Sequence, residues 1–121
     1  MQYMLLIYDD PAVWAALPEA EMNAYYGDYM AFTEELRKSG KYLAADRLQP
    51  ISTATSVRVR NGETLTTDGP FAETKEVLGG YYAIEADSLD EALEWAAKIP
   101  SSKVGTIEVR PIVMSRMETP A

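Results

Sequence analysis

Residues 2–8, QYMLLIY, are apolar on both alternating sets, with Tyr3, Leu5 and Ile7 on one and Met4, Leu6 and Tyr8 on the other. In a strand, successive side chains point to opposite faces, so this pattern predicts a central strand that needs apolar cover on both sides of its sheet. The chain is 121 residues long, which provides for one domain with one core. Every later element has to be weighed against that demand for double cover.

Asp9, Asp10 and Pro11 are expected to end this first strand, and Pro18 suits a first helical turn because its missing N–H has no intrahelical acceptor there. Met22, Tyr25, Tyr26, Tyr29, Phe32 and Leu36 then fall within an arc of roughly 120° at helical spacing. They predict an amphipathic helix with Arg37 and Lys38 near its C-terminus and Gly40 as its stop, and their spacing is that of core residues. Residues 41–48 read as a second strand and 49–54 as a loop. Asn61-Gly62 between two β-rich runs is a type I′ hairpin signal, and pairing across it sets Arg60 opposite Glu63. A turn-rich stretch, DGPFAETKEVLGG, precedes a strand expected at Tyr81–Ala86. Ser88 with Glu91 reads as a capping box opening a helix whose stripe is Leu89, Ala92, Leu93, Ala96 and Ile99 and whose stop is Pro100. Residues 106–113 close the pattern as a last strand, and Met117 to Ala121 form a tail expected to fray beyond a single domain over 1–116.

With the hairpin set aside, the order is β-α-β twice, which predicts an α+β, ferredoxin-like βαββαβ fold with an inserted β-hairpin and both helices on one face of an antiparallel sheet. The helices cover only one face of the doubly apolar first strand. A second copy of the chain is the simplest cover for the other, so the expectation is a homodimer. In the last strand Ile107 and Val109 alternate with Glu108 and Arg110, which sets the charged pair on the face away from the helices. Two readings follow from the alternation: a solvated outer face, or a pocket enclosed between sheet and partner in which Arg110 holds an anionic group in bidentate fashion.

Composition excludes several function classes. Eleven Lys and Arg against nineteen Asp and Glu leave a formal charge of −8, which repels phosphate backbones, so direct nucleic-acid binding is not expected. The chain has no Cys and no His, which removes disulfides, thiolate and imidazole metal ligation, and every Ser-His or Cys-His arrangement. Neither GxGxxG nor GxxxxGK occurs. The N-terminal apolar run is far shorter than the ~18 residues of a spanning helix and lacks a basic lead and cleavage site, which predicts a cytoplasmic protein without a membrane partner. Asp9-Asp10 and the group Asp87, Asp90 and Glu91 carry cation-compatible oxygens, but capping accounts for the second group. No metal and no cofactor is expected.

Asp68-Gly69-Pro70-Phe71 is a turn by its own chemistry, and Phe71 would then be a core plug. Gly79-Gly80 permits close backbone approach to a strand or a ligand. The block from Asp68 to Tyr82, together with the opening QYMLLIYDDP and the closing GTIEVRPI, resembles the DGPF-domain branch of the YCII-related proteins over nearly the whole chain. The resemblance implies a ferredoxin-like protomer that pairs as a dimeric α/β barrel, with a cavity near the sheet and no settled activity. It also implies a bacterial setting near sigma factors of the extracytoplasmic-function type. Other YCII-related members have a His-Asp pair proposed for acid–base work, and one branch is dehydrochlorinase-like; this chain has no His to carry that role.

Two functions are compatible with these observations. One is binding of a small organic ligand, with a cryptic enzyme activity as its extension. Asp68 would then be polar anchor or base, Arg110 an anion clamp, Phe71 an apolar wall and Tyr82 a hydrogen-bond donor. The alternative is an interaction module that modulates a sigma factor through the acidic surface. A concave cavity holding Asp68 and Arg110 would favour the first, and a flat polar surface with both in ion pairs the second.

Overall fold

The computed structural model describes residues 1–114, so the expected tail at 117–121 lies outside the described residues. The elements in chain order are β1 (Gln2–Asp9), α1 (Pro11–Ala15), α2 (Glu19–Lys38), β2 (Tyr42–Arg47), β3 (Thr55–Arg60), β4 (Glu63–Asp68), β5 (Val77–Glu85), α3 (Leu89–Lys98) and β6 (Thr106–Pro111). Single 3-10 turns lie at Ile51–Thr53 and Pro100–Lys103. The main sheet has the order β2-β5-β1-β6 with every neighbour antiparallel, and β3 and β4 form a separate ribbon. This is the ferredoxin-like arrangement with a hairpin inserted between the second and third strands of the sheet.

Local chemistry explains most boundaries. Asn61 and Gly62 both take positive φ, 52° and 78°, as a two-residue hairpin turn demands, and Arg60 pairs with Glu63 across it. At the start of α3 the Ser88 hydroxyl accepts from the Glu91 N–H at 3.2 Å, while the Glu91 carboxylate accepts from the Asp87 N–H at 2.7 Å. Ser88→Ala should therefore cost about 1 kcal/mol through loss of the cap, read as a lowered urea midpoint. An unmoved midpoint would show that Glu91 alone holds this terminus.

The register decides which side chains meet. Leu5 lies opposite Tyr82 on one side and Val109 on the other, so Tyr3, Leu5 and Ile7 share a face with Tyr82, Ile84, Ile107 and Val109. That face packs on Phe32 and Leu36 of α2 and on Ala92, Ala96 and Ile99. Met4 and Leu6 share the opposite face with Ala83, Tyr81, Arg110 and Glu108. Leu6 and Met4 are half-buried there, with no helix over them. Glu108 and Arg110 thus lie on the helix-free face, as their alternation predicts.

Three details depart from the sequence reading. Strand β5 begins at Val77 instead of Tyr81, because Val77 and Leu78 pair with Asp9 and Tyr8 beyond a bulge at Gly79 of β5. Gly79-Gly80 is accordingly strand, not loop: a Cβ on Gly80 would sit 2.9 Å from the carbonyl oxygen of Asp46 on neighbouring β2. Second, Asp10 and Pro11 open a short helix, with the Asp10 carboxylate accepting from the Ala12 N–H at 2.9 Å. Third, Leu89 and Leu93 of the α3 stripe are about half exposed, and Trp95 packs on the core in their place, edge-on to Phe32 at 6.2 Å between ring centres. Small Ala92 and Ala96 let α3 approach the sheet closely, which turns the larger leucines outward. No helix among the described residues is long and apolar enough to cross a membrane.

Candidate functional site

Along α2 only Phe32 and Leu36 are buried, although the apolar stripe starts at Met22. The N-terminal half of the helix stands off the sheet, and α1 and the segment after β2 form the rim of the space between. The result is a cavity of about 510 Å³, within the ~300–1,000 Å³ range of small-ligand sites. Ile7 and Asp9 of β1, Trp14 of α1, and Met22, Tyr25, Tyr26 and Tyr29 of α2 line one part of it. Ala45 to Ile51 and Val77 to Tyr82 line the rest. The helix tyrosines expected in the core are therefore largely cavity lining, because helical spacing is the same for a stripe that touches a sheet and one that faces a gap.

Asp9 and Asp46 are the acids that line this cavity, and Asp46 is already bonded to the Tyr81 hydroxyl. Asp9 shares parity with Tyr3, Leu5 and Ile7, so β1 directs it toward the helices. Burial pushes its carboxyl above the usual carboxylate range; the side chain of Trp14 and the charge of Arg47 act the other way, while Glu76 and Asp10 add to the rise. The missing side chain at Gly79 leaves room for it: a Cβ there would meet its Oδ1 at 3.3 Å. Asp9 makes no ion pair among the described residues.

The phenols around it are held neutral. Burial pushes Tyr29 up to about 12, against the opposing effect of its hydrogen bond with the fully buried Ser101 hydroxyl. Tyr82 is raised by burial and shares a 2.7 Å hydrogen bond with Thr33. Tyr25 is raised by burial too, against the opposing effect of the Ser101 hydroxyl nearby, and its own buried hydroxyl makes no hydrogen bond of good geometry among the described residues. Its ring meets Trp14 edge-to-face at 4.4 Å. At the rim Arg47 donates to the Tyr26 hydroxyl at 3.0 Å with its guanidinium 5.1 Å from that ring's centre, and Tyr81 donates to Asp46 at 2.6 Å.

Of the four residues singled out from the sequence, Tyr82 lines this cavity. Asp68 is exposed at the end of β4, and Phe71 is 80% exposed instead of plugging the core, because the turn that carries it projects from the sheet with the hairpin. Arg110 is exposed on the face of the sheet opposite the helices, so it and Tyr82 point away from each other. The structure does not bring the four together, and neither Asp68 nor Arg110 is in an ion pair among the described residues. Asp87 and Glu91 pair with Lys41 at 3.5 and 3.7 Å, and the described residues contain no cluster of three ligating acids. From the sequence Asp9 is weighed only with Asp10 as a source of cation-compatible oxygens, although its parity on β1 is a usable signal that it faces the helices.

Comparison with known proteins agrees with this architecture. A solved structure, the 5-chloro-2-hydroxyhydroquinone dehydrochlorinase of Burkholderia phenoliruptrix in complex with 2,5-dihydroxybenzoquinone, shares the fold with a TM-score of 0.56 at 16% identity, covering 97% of this chain and 98% of that one. An uncharacterised protein of Rhizobium meliloti (strain 1021) is 39% identical over 116 residues, 94% of each chain. The YCII-related domain matches residues 1–116, the whole span that supplies the sheet, the helices and the cavity. On sequence and fold together, the chain belongs to the YCII-related domain family.

Proposed function

We propose that this protein binds a small organic molecule in the cavity between α1, α2 and the sheet, with Asp9 as the group that pairs with it or exchanges a proton with it. The observation that carries the reading is the setting of Asp9: a desolvated carboxyl without an ion-pair partner among the described residues, in a cavity walled mostly by apolar and aromatic side chains. A carboxyl whose pKa burial raises is suited to general acid–base work, so an enzyme acting on a small organic substrate is the natural extension. A fold neighbour that dehydrochlorinates a hydroxylated ring is compatible with that extension. The Asp68–Phe71 sequence supports placement in the DGPF branch of the family.

A homodimer through the helix-free face of the sheet belongs to the same proposal. Its support is the uncovered pair Met4 and Leu6 beside Tyr81 and Ala83. In that assembly Arg110 would clamp an anionic group between the sheets, and Asp68 and Phe71 would act from the hairpin base on a shared pocket. Light scattering should give twice the 13.4 kDa chain mass at micromolar concentration, and the monomer mass would remove this part of the reading.

Asp9→Asn tests the cavity. The folded state raises the Asp9 pKa, so it holds the proton more readily than the unfolded chain, and stability falls as pH rises through the window above 3.8. At pH 7 the amide should therefore leave the melting temperature unchanged or raised. Compounds that raise the melting temperature of the unmodified protein in a metabolite screen should lose at least about tenfold in affinity, the effect of removing one desolvated charge partner. Undiminished affinity in a folded Asp9→Asn protein would overturn the role of Asp9.

A further inference from the structure

The charges around the cavity differ from what a site for an anion requires. Asp9 and Asp46 line it, and Glu76 and Asp10 act on Asp9 from close by. Arg47 is the one cation in the lining, and it already spends its guanidinium on the Tyr26 ring and hydroxyl. The local balance is negative within a chain of net charge −8, so a cation is drawn toward the opening and an anion is repelled. Inside, Trp14, Tyr25 and Tyr29 line the cavity around a carboxylate that has no ion-pair partner among the described residues, with the Trp14 side chain hydrogen-bonding toward it. Aromatic rings around a carboxylate suit an ammonium group, since ring quadrupoles and a single anion together replace the water that a cation loses. The pairing of Arg47 with Tyr26 shows one ring of this lining already in contact with a cation.

We propose that the ligand of this cavity is a small organic ammonium with an apolar body, its nitrogen on Asp9 among Trp14, Tyr25 and Tyr29 and one of its acceptor atoms on the Tyr25 hydroxyl. This rests on the cavity reading above and adds the class of molecule. The ammonium offsets the desolvation of Asp9, which Trp14 and Arg47 compensate only in part. The Tyr25 hydroxyl, neutral and buried, gains the hydrogen bond of good geometry that it lacks among the described residues. The apolar body takes the place of water against Ile7, Met22 and Leu48.

Isothermal titration of the unmodified protein with benzylamine, benzyl alcohol and benzoate, which share one ring and differ in the charged group, tests the class. Benzylamine should bind about tenfold more tightly than the alcohol, and benzoate should bind most weakly. Asp9→Asn should bring benzylamine down to the level at which the unmodified protein binds the alcohol. Equal binding of all three, or benzoate tightest, would overturn the ammonium assignment and leave the cavity reading standing. If none of the three binds at millimolar concentration while the metabolite screen yields Asp9-dependent ligands without an amine, the ammonium assignment fails alone. If that screen is also empty, both readings fail.

Discussion

Gly105→Ala should lose about 3 kcal/mol of stability, at the upper end of what overpacking a filled site costs. A Cβ at this position would lie 2.2 Å from the carbonyl oxygen of Tyr8, 3.1 Å from the Asp9 Cβ and 3.2 Å from its Cα. The carbonyl and the Cα are backbone, so no side-chain rotation relieves the contact. Relief requires β6 to move away from β1 where Thr106 pairs with Tyr8, and the hydrogen bonds at that end of the sheet would be strained or lost. The displaced segment includes Asp9. A folded remnant of the variant should therefore also respond weakly to any ligand of the cavity. Urea denaturation measures the first effect, and a loss under about 0.5 kcal/mol, the scatter of ordinary surface substitutions, would show that the two backbones are not held at this distance.

Phe32→Ala should cost about 3–5 kcal/mol, the range for truncating a buried aromatic ring. Phe32 is the residue through which α2, β5 and α3 meet: its ring stands edge-on to Tyr82 at 5.1 Å and to Trp95 at 6.2 Å, and it is 6% exposed. Truncation removes both aromatic contacts and leaves a void that α2, anchored on either side by Tyr29 and Leu36, has little freedom to close. Set against the ~5–15 kcal/mol that stabilises a typical domain, the loss brings this chain close to its unfolding threshold at moderate temperature. Phe32→Leu restores most of the volume and should cost about 1.5 kcal/mol, so the difference between the two variants separates the cavity effect from the lost ring contacts. Equal melting temperatures for Phe32→Ala and the unmodified protein would mean that the three elements do not depend on this ring.

Wherever a short stretch contains its own physical cause, the sequence is a sufficient guide. The pattern in QYMLLIY specifies a strand that is apolar on both faces, Asn61-Gly62 specifies a tight turn, and Ser88 with Glu91 specifies where α3 begins. With the order of the elements these determine the ferredoxin-like fold and place Glu108 and Arg110 on the face away from the helices. The site was not legible in the same way. Met22, Tyr25, Tyr26 and Tyr29 repeat at the period of Phe32 and Leu36, and period alone cannot distinguish a helix face resting on a sheet from one standing away from it. That distance is set by α1 and by the segment after β2, which are remote from the tyrosines in sequence. Phe71, too, follows the hairpin outward for reasons its four-residue turn does not contain.

Asp9 is the clearest case of the division. Its parity on β1, and hence its direction, follows from the sequence, but its chemistry does not. The rise in its pKa comes from burial beneath α1 and α2 and from Glu76, opposed by Trp14 and Arg47, groups brought together from five separate parts of the chain. Local sequence determined the elements of this protein because hydrogen bonding and side-chain period act over a few residues; tertiary structure decided the cavity and the state of its carboxyl because desolvation and charge act through space.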